Sequence, residues 1–166
     1  MALKKTRFKS NRAPLQADAL QQALRYLGYR PRSEAEIRSY LLRRGYIPAV
    51  SDRVLEKLRS LNYVDDKSFA RNWALTKAQS QGYGPRRIEQ ELRTKGIVPS
   101  LIREVIRETL DQCDEKTQAK RLLAKRFRSE SLGDVKTLRR VAAFLQRRGY
   151  SSQVISDLLR CPNEEV

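Results

Sequence analysis

Residues 82–96 read Gly-Tyr-Gly-Pro-Arg-Arg-Ile-Glu-Gln-Glu-Leu-Arg-Thr-Lys-Gly, and two close glycines beside paired arginines could cradle a phosphate. A nucleotide loop of that kind follows a strand and opens a helix. Here a helical pattern precedes the glycines, which argues against it. Other chemistries find less support. The chain has no histidine, so the commonest general base and a common metal ligand are both missing. Glu34 and Glu36, and Glu89 and Glu91, stand two apart on helical patterns and do not face one another. Asp65-Asp66 reads as a helix start, where acids favour the dipole. Cys113 and Cys161 are far apart and, without histidine, cannot complete a zinc set, so they read as reduced bystanders. We expect no enzyme, no cofactor and no metal.

Charge points elsewhere. The 166 residues carry 35 lysines and arginines against 19 acids, a formal charge of +16 and a pI near 10.4. Such a balance attracts polyanions, nucleic acid first, with an acidic protein surface or an anionic membrane as weaker alternatives. The longest apolar run, residues 141–145, is far short of the roughly 20 residues a membrane helix needs. The start, MALKKTRFKSNRAP, holds five bases and no acid or apolar segment. It reads as a basic arm rather than a secretory signal. A cytoplasmic protein without a membrane partner is expected.

The elements that carry this charge repeat. Gly45, Gly96 and Gly149 are spaced by 51 and 53 residues, and the apolar positions around them coincide. Eight before each glycine stands Ile37, Ile88 or Val141, and four before, Leu41, Leu92 or Leu145. One after comes Tyr46, Ile97 or Tyr150, and five after, Val50, Leu101 or Val154. Nine and ten after come Val54-Leu55, Val105-Ile106 and Leu158-Leu159. These offsets are the one-face spacing of two amphipathic helices joined at a glycine, which adopts the left-handed conformation without a clash. Ser33 with Glu36 makes a capping box, and Pro85 and Pro99 sit at first helical positions.

A further helix precedes each pair. Its stripes are Ala19, Leu20, Ala23, Leu24 and Leu27, closed by Gly28; Phe69, Ala70, Trp73, Ala74 and Ala78 after Asp65; and Ala119, Leu122, Leu123 and Phe127 after Asp114. The expected fold is all-α, three tandem three-helix repeats in an elongated arrangement. Its segments are a basic arm (1–14), three repeats (15–63, 64–113 and 114–160) and a tail (161–166).

Within each repeat the charge is uneven. Ordinary helix-turn-helix readers of DNA would carry bases on their third helices, yet residues 48–61 net +1, 99–111 net −1 and 151–160 zero. The middle helices net +1 (33–44), +2 (84–95) and +4 (134–148), and residues 114–128 add +4. Arg43, Arg44, Lys95, Arg147 and Arg148 lie in last turns, where cations also satisfy the dipole. Arg86 and Arg87 stand in a first turn, where positive charge is unfavourable, and so suggest an anion supplied from outside, such as a phosphate or carboxylate that pairs with arginine in bidentate fashion. Tyr83 fits packing beneath the turn better than base stacking, and Trp73 falls in a core stripe.

Three blocks, NYVDDKSFARNWA (62–74), GYGPRRIEQELRTKGI (82–97) and RRVAAFLQRRGYSSQVISDLL (139–159), resemble the RecX family of bacterial regulatory proteins. The resemblance spans roughly residues 17–160 and departs at Asn62, where the family usually has glycine; asparagine also tolerates the left-handed conformation. It implies a regulator that binds the RecA filament on single-stranded DNA. Such a regulator restrains ATP hydrolysis, strand exchange and repressor cleavage, in recombinational repair and the SOS response. A monomer is expected, with single-stranded DNA meeting its basic faces. The candidate contact residues are Arg86, Arg87, Arg93 and Lys95 centrally, and Arg43 and Arg44 in the first repeat. The third repeat offers Lys120, Arg121, Lys125, Arg126, Arg139, Arg140, Arg147 and Arg148. The alternative is a helix-turn-helix-like or general basic nucleic-acid-binding protein.

Overall fold

The computed structural model describes residues 16–127 and 134–160; the basic arm, Arg128 and Cys161 lie outside them. Among the described residues every regular element is a helix. In chain order these are α1 (Gln16–Leu27), α2 (Glu34–Arg43), α3 (Pro48–Ser60), α4 (Asp66–Gln81), α5 (Pro85–Thr94), α6 (Pro99–Gln112), α7 (Glu115–Arg126), α8 (Val135–Arg148) and α9 (Ser152–Arg160). They group into three three-helix repeats.

The helix boundaries follow local chemistry. Ser33 Oγ accepts from the Glu36 N–H at 3.2 Å while the Glu36 carboxylate accepts from the Ser33 N–H at 3.3 Å, closing the capping box. Asp65 caps α4 through the Lys67 N–H and Asp114 caps α7 through the Thr117 N–H. The hydrogen bonds hold both carboxyls below the usual aspartate range. Past the middle helices the chain turns the same way three times. Gly45, Gly96 and Gly149 have φ of +90°, +76° and +84°, and the next N–H reaches back to the same leucine carbonyl of each repeat: Tyr46 to Leu41, Ile97 to Leu92 and Tyr150 to Leu145.

Asn62 does this after α3, at φ +56°, with Tyr63 N–H bonded to Leu58 O at 2.9 Å. Its side chain is exposed, so a substitution there reports backbone conformation rather than packing. Asn62→Ala should cost about 1–2 kcal/mol in urea denaturation, and Asn62→Gly almost nothing.

The chain divides into two compact units, one ending at Val64 and the other starting at Asp65. In the first, α1, α2 and α3 all touch around Ala19, Ala23, Ile37, Leu41, Val54, Leu55 and Leu58, none with any exposed surface. Leu24 departs from the predicted stripe and is exposed. In the second unit, α4, α5 and α6 close over Ala70, Ala74, Ile88, Leu92, Ile102 and Val105. There α9 packs on α7 and α8 over Ala119, Val141, Leu145, Tyr150 and Leu158.

Repeats two and three meet within this second unit through backbone. The Gly84 N–H donates to Arg148 O at 2.8 Å and the Arg86 N–H to Gly149 O at 3.1 Å. The C-terminal carbonyls of α8 thus cap the N-terminus of α5, joining opposite ends of two helix dipoles. Gly84 occupies the N-cap place that Ser33 holds in the first repeat. Serine caps with its own side chain; glycine lets another repeat's backbone do it. A Cβ on Gly84 would come within 2.5 Å of Gly149 O, and one on Gly149 within 2.4 Å of the Arg87 nitrogen.

Candidate partner-binding surface

Ion pairing sorts the basic residues into those already satisfied and those left for a partner. In the first unit Arg30 and Arg32 meet Glu36, Arg38 meets Asp52 and Arg59 meets Glu34. In the central repeat Lys67 binds Glu104 at 2.6 Å and Arg71 binds Glu108 at 2.6 Å, raising the guanidinium's pKa and lowering the carboxyl's. Glu104 and Glu108 of α6 therefore face α4. Arg93 pairs with Glu89 one turn away, at 2.6 Å. By contrast Arg43, Arg44, Arg86, Arg121, Lys125, Arg126, Arg139, Arg147 and Arg148 have no carboxylate within 4 Å among the described residues.

Four predicted residues converge on a groove of about 640 Å³ in the second unit: Arg86, Arg87 and Lys95 from the central repeat and Arg147 from the third. Lys77, Glu91 and Trp73 complete its walls, with Gly149 and Tyr150 at the junction. Trp73 is half-buried rather than fully in the core: it stacks on Phe69 at 5.7 Å, and the ammonium groups of Lys77 and Lys95 each lie 4.8 Å from its ring centre. Its Nε1–H donates to Glu91 at 3.1 Å, and Glu91 lies 3.7 Å from Lys77 and 3.9 Å from Arg87. Five cations therefore line a groove that holds one carboxylate, and that carboxylate already has three partners. Charge runs single out neither Lys77 nor Trp73 for this surface, because their roles depend on which face of α4 meets α5. The (i, i+4) spacing of Trp73 and Lys77 is the one local signal of their pairing.

The arginines of the first turn find part of their counter-charge inside the chain. Arg87 donates to Arg147 O at 3.1 Å and lies over the Tyr83 ring at 4.2 Å; the electronegative end of α8 faces it. Arg86 makes no such side-chain contact and is exposed. Tyr150 is buried at the junction, and its hydroxyl donates to Gly82 O at 3.2 Å. Burial, with Glu115 nearby, pushes its phenol up to about 12, so the donor persists across physiological pH.

The remaining predicted residues are dispersed. Arg121, Lys125, Arg126 and Arg148 line a second cleft, between the end of α4 and helices α7 and α8. Lys120 is half-buried; Arg139 and Arg140 are exposed on α8; neither they nor Lys120 line these two sites. Arg43 and Arg44 belong to the first unit, Arg44 lying over the Tyr40 ring at 5.2 Å. Among the described residues no group of three histidine, cysteine or acidic side chains could hold a metal, and no helix is long and apolar enough to cross a membrane.

This order of helices matches known proteins. Models of the first, second and third three-helix domains of RecX match residues 19–58, 65–106 and 114–159. The chain belongs to the RecX family. Regulatory protein RecX of Mycolicibacterium smegmatis is 36% identical over 141 residues, covering 82% of this chain and 74% of that one. Its counterpart in Mycobacterium leprae is 36% identical over 138 residues, covering 82% and 80%. The crystal structure of RecX from Lactobacillus salivarius superposes with a TM-score of 0.75 at 22% identity, over 87% of this chain and 94% of that one. Another regulatory protein RecX structure gives 0.74 at 29% identity, over 86% and 71%. All-α architecture and three tandem repeats are therefore common to this chain and the RecX family, whose members are named as regulators.

Proposed function

We propose that this RecX-family chain is a non-enzymatic cytoplasmic regulator, acting as a monomer. It binds the RecA nucleoprotein filament and restrains its ATP hydrolysis, strand exchange and coprotease activity in recombinational repair and the SOS response. Family membership over all three repeats, in order, carries this reading. The groove of Arg86, Arg87, Lys95 and Arg147 supports it as the contact, because Arg86 and Arg147 lack carboxylate partners among the described residues. A helix-turn-helix reader of duplex DNA is disfavoured: α6 directs Glu104 and Glu108 at α4, and Arg59 of α3 at Glu34. Those helices also carry almost no net positive charge to offer phosphates: residues 48–61 net +1 and 99–111 net −1.

Titrating the protein into RecA with single-stranded DNA in excess, at near-physiological salt, tests the reading through ATP hydrolysis. Inhibition should set in well below one molecule per RecA protomer and survive added DNA. Inhibition that appears only when protein rivals DNA, and vanishes with more DNA, would mean charge sequestration and favour a general nucleic-acid coat.

A further inference from the structure

The cleft between the C-terminal turn of α4 and helices α7 and α8 is a different surface from the Trp73 groove, with a volume of about 960 Å³. Arg121 and Lys125 stand on α7 one turn apart, exposed, with no carboxylate within 4 Å among the described residues. Asp114, on the same cleft, is committed to capping α7 through the Thr117 N–H at 2.7 Å. Arg148 crosses the floor. Its guanidinium carbon lies 5.3 Å from the Phe144 ring centre and 5.5 Å from that of Tyr83, and its Nη1 donates to Gln81 O. The two rings and that carbonyl hold the guanidinium in one place as a planar surface.

We propose that this cleft binds single-stranded nucleic acid directly, with Arg121 and Lys125 on phosphates and Arg148 as a stacking plane for a base. The inference deepens the proposed role by giving the DNA of a nucleoprotein filament its own site, apart from the protein contact. An acidic peptide would need only the cations. The combination of a fixed guanidinium plane, partly exposed Phe144, Leu122 and Tyr83, and the amide of Gln118, which both donates and accepts, matches bases as well as phosphates.

The test uses the full chain without recombinase, so failure here is separable from failure of the regulatory reading. A labelled 15-nucleotide oligo-dT is titrated and followed by anisotropy at several salt concentrations. Arg121→Gln with Lys125→Gln should weaken binding about tenfold or more and flatten the salt slope by about 1.4, at roughly 0.7 for each single-strand phosphate no longer neutralised. Arg53→Gln with Lys57→Gln removes equal charge from the first unit and should change affinity less than about threefold. Trp73, the only tryptophan, should keep its emission on oligonucleotide binding because it lines the other groove. Equal losses from both pairs, quenching of Trp73, displacement of the oligonucleotide by polyglutamate of equal charge, or no binding by the unaltered protein would each overturn the assignment.

Discussion

Gly149→Ala is expected to destabilise the second unit by about 2–5 kcal/mol, seen as an early unfolding transition in urea. Two costs add. At φ +84° a residue with a Cβ sits in the left-handed region, a penalty of about 1–2 kcal/mol. The new Cβ would also lie 2.4 Å from the Arg87 nitrogen and 2.5 Å from its Cβ. Neither atom is the end of a flexible side chain, so α5 must shift, which adds roughly 1–3 kcal/mol as overpacking does in a core. The internal control is Gly45→Ala. It shares the left-handed conformation at φ +90° but meets nothing within 4 Å, so only the backbone cost remains. If the two substitutions cost the same, repeats two and three do not approach each other as the glycines indicate.

Gly84→Ser gives the same junction an opposite sign test. On local rules serine should improve the start of α5 slightly, by about 0.3 kcal/mol, as Ser33 serves α2. At 2.5 Å from Gly149 O its Cβ should instead destabilise the unit. A stabilised Gly84→Ser protein would reject the capping of α5 by the carbonyls of α8.

The second large effect concerns regulation. Arg86→Gln with Arg147→Gln should raise the concentration needed to inhibit RecA ATP hydrolysis by at least about tenfold while leaving helicity and melting unchanged. Both residues are exposed and line one groove, one from each repeat, with no carboxylate partner among the described residues. Removing a charge-assisted hydrogen bond costs roughly 1.5–3 kcal/mol where the partner exists and almost nothing where it does not. Arg87 is a poorer choice despite its place beside Arg86. Its guanidinium bonds to Arg147 O and covers Tyr83, so weakened inhibition would be confounded with a loosened junction. Arg93→Gln is the useful comparison, because its charge is already neutralised by Glu89 at 2.6 Å; it should move inhibition little. Full inhibition by the Arg86/Arg147 variant would remove the groove from the contact surface.

The helices, their ends and their repetition are legible in the amino-acid order alone. Each rests on interactions within about four residues: the capping box of Ser33, the prolines opening α5 and α6, and the left-handed residues Gly45, Asn62, Gly96 and Gly149. Spacing along one face likewise places Ile37, Leu41, Ile88, Leu92, Val141 and Leu145 in the cores. The sum of charges is legible too, but its arrangement is not. Whether a basic residue is free depends on what faces it from another helix, and Arg71 lies 37 residues from Glu108 in the chain. It takes the folded chain to show that Arg71 is paired across helices and Arg86 open, and that Trp73 borders a groove. Packing alone reveals that Gly84 is small to admit the backbone of α8 rather than to hold a phosphate. One cause underlies all of these. Capping and periodicity are local and recur wherever their residues recur, whereas ion pairs and backbone contacts between repeats form only where packing brings distant atoms within a few ångströms.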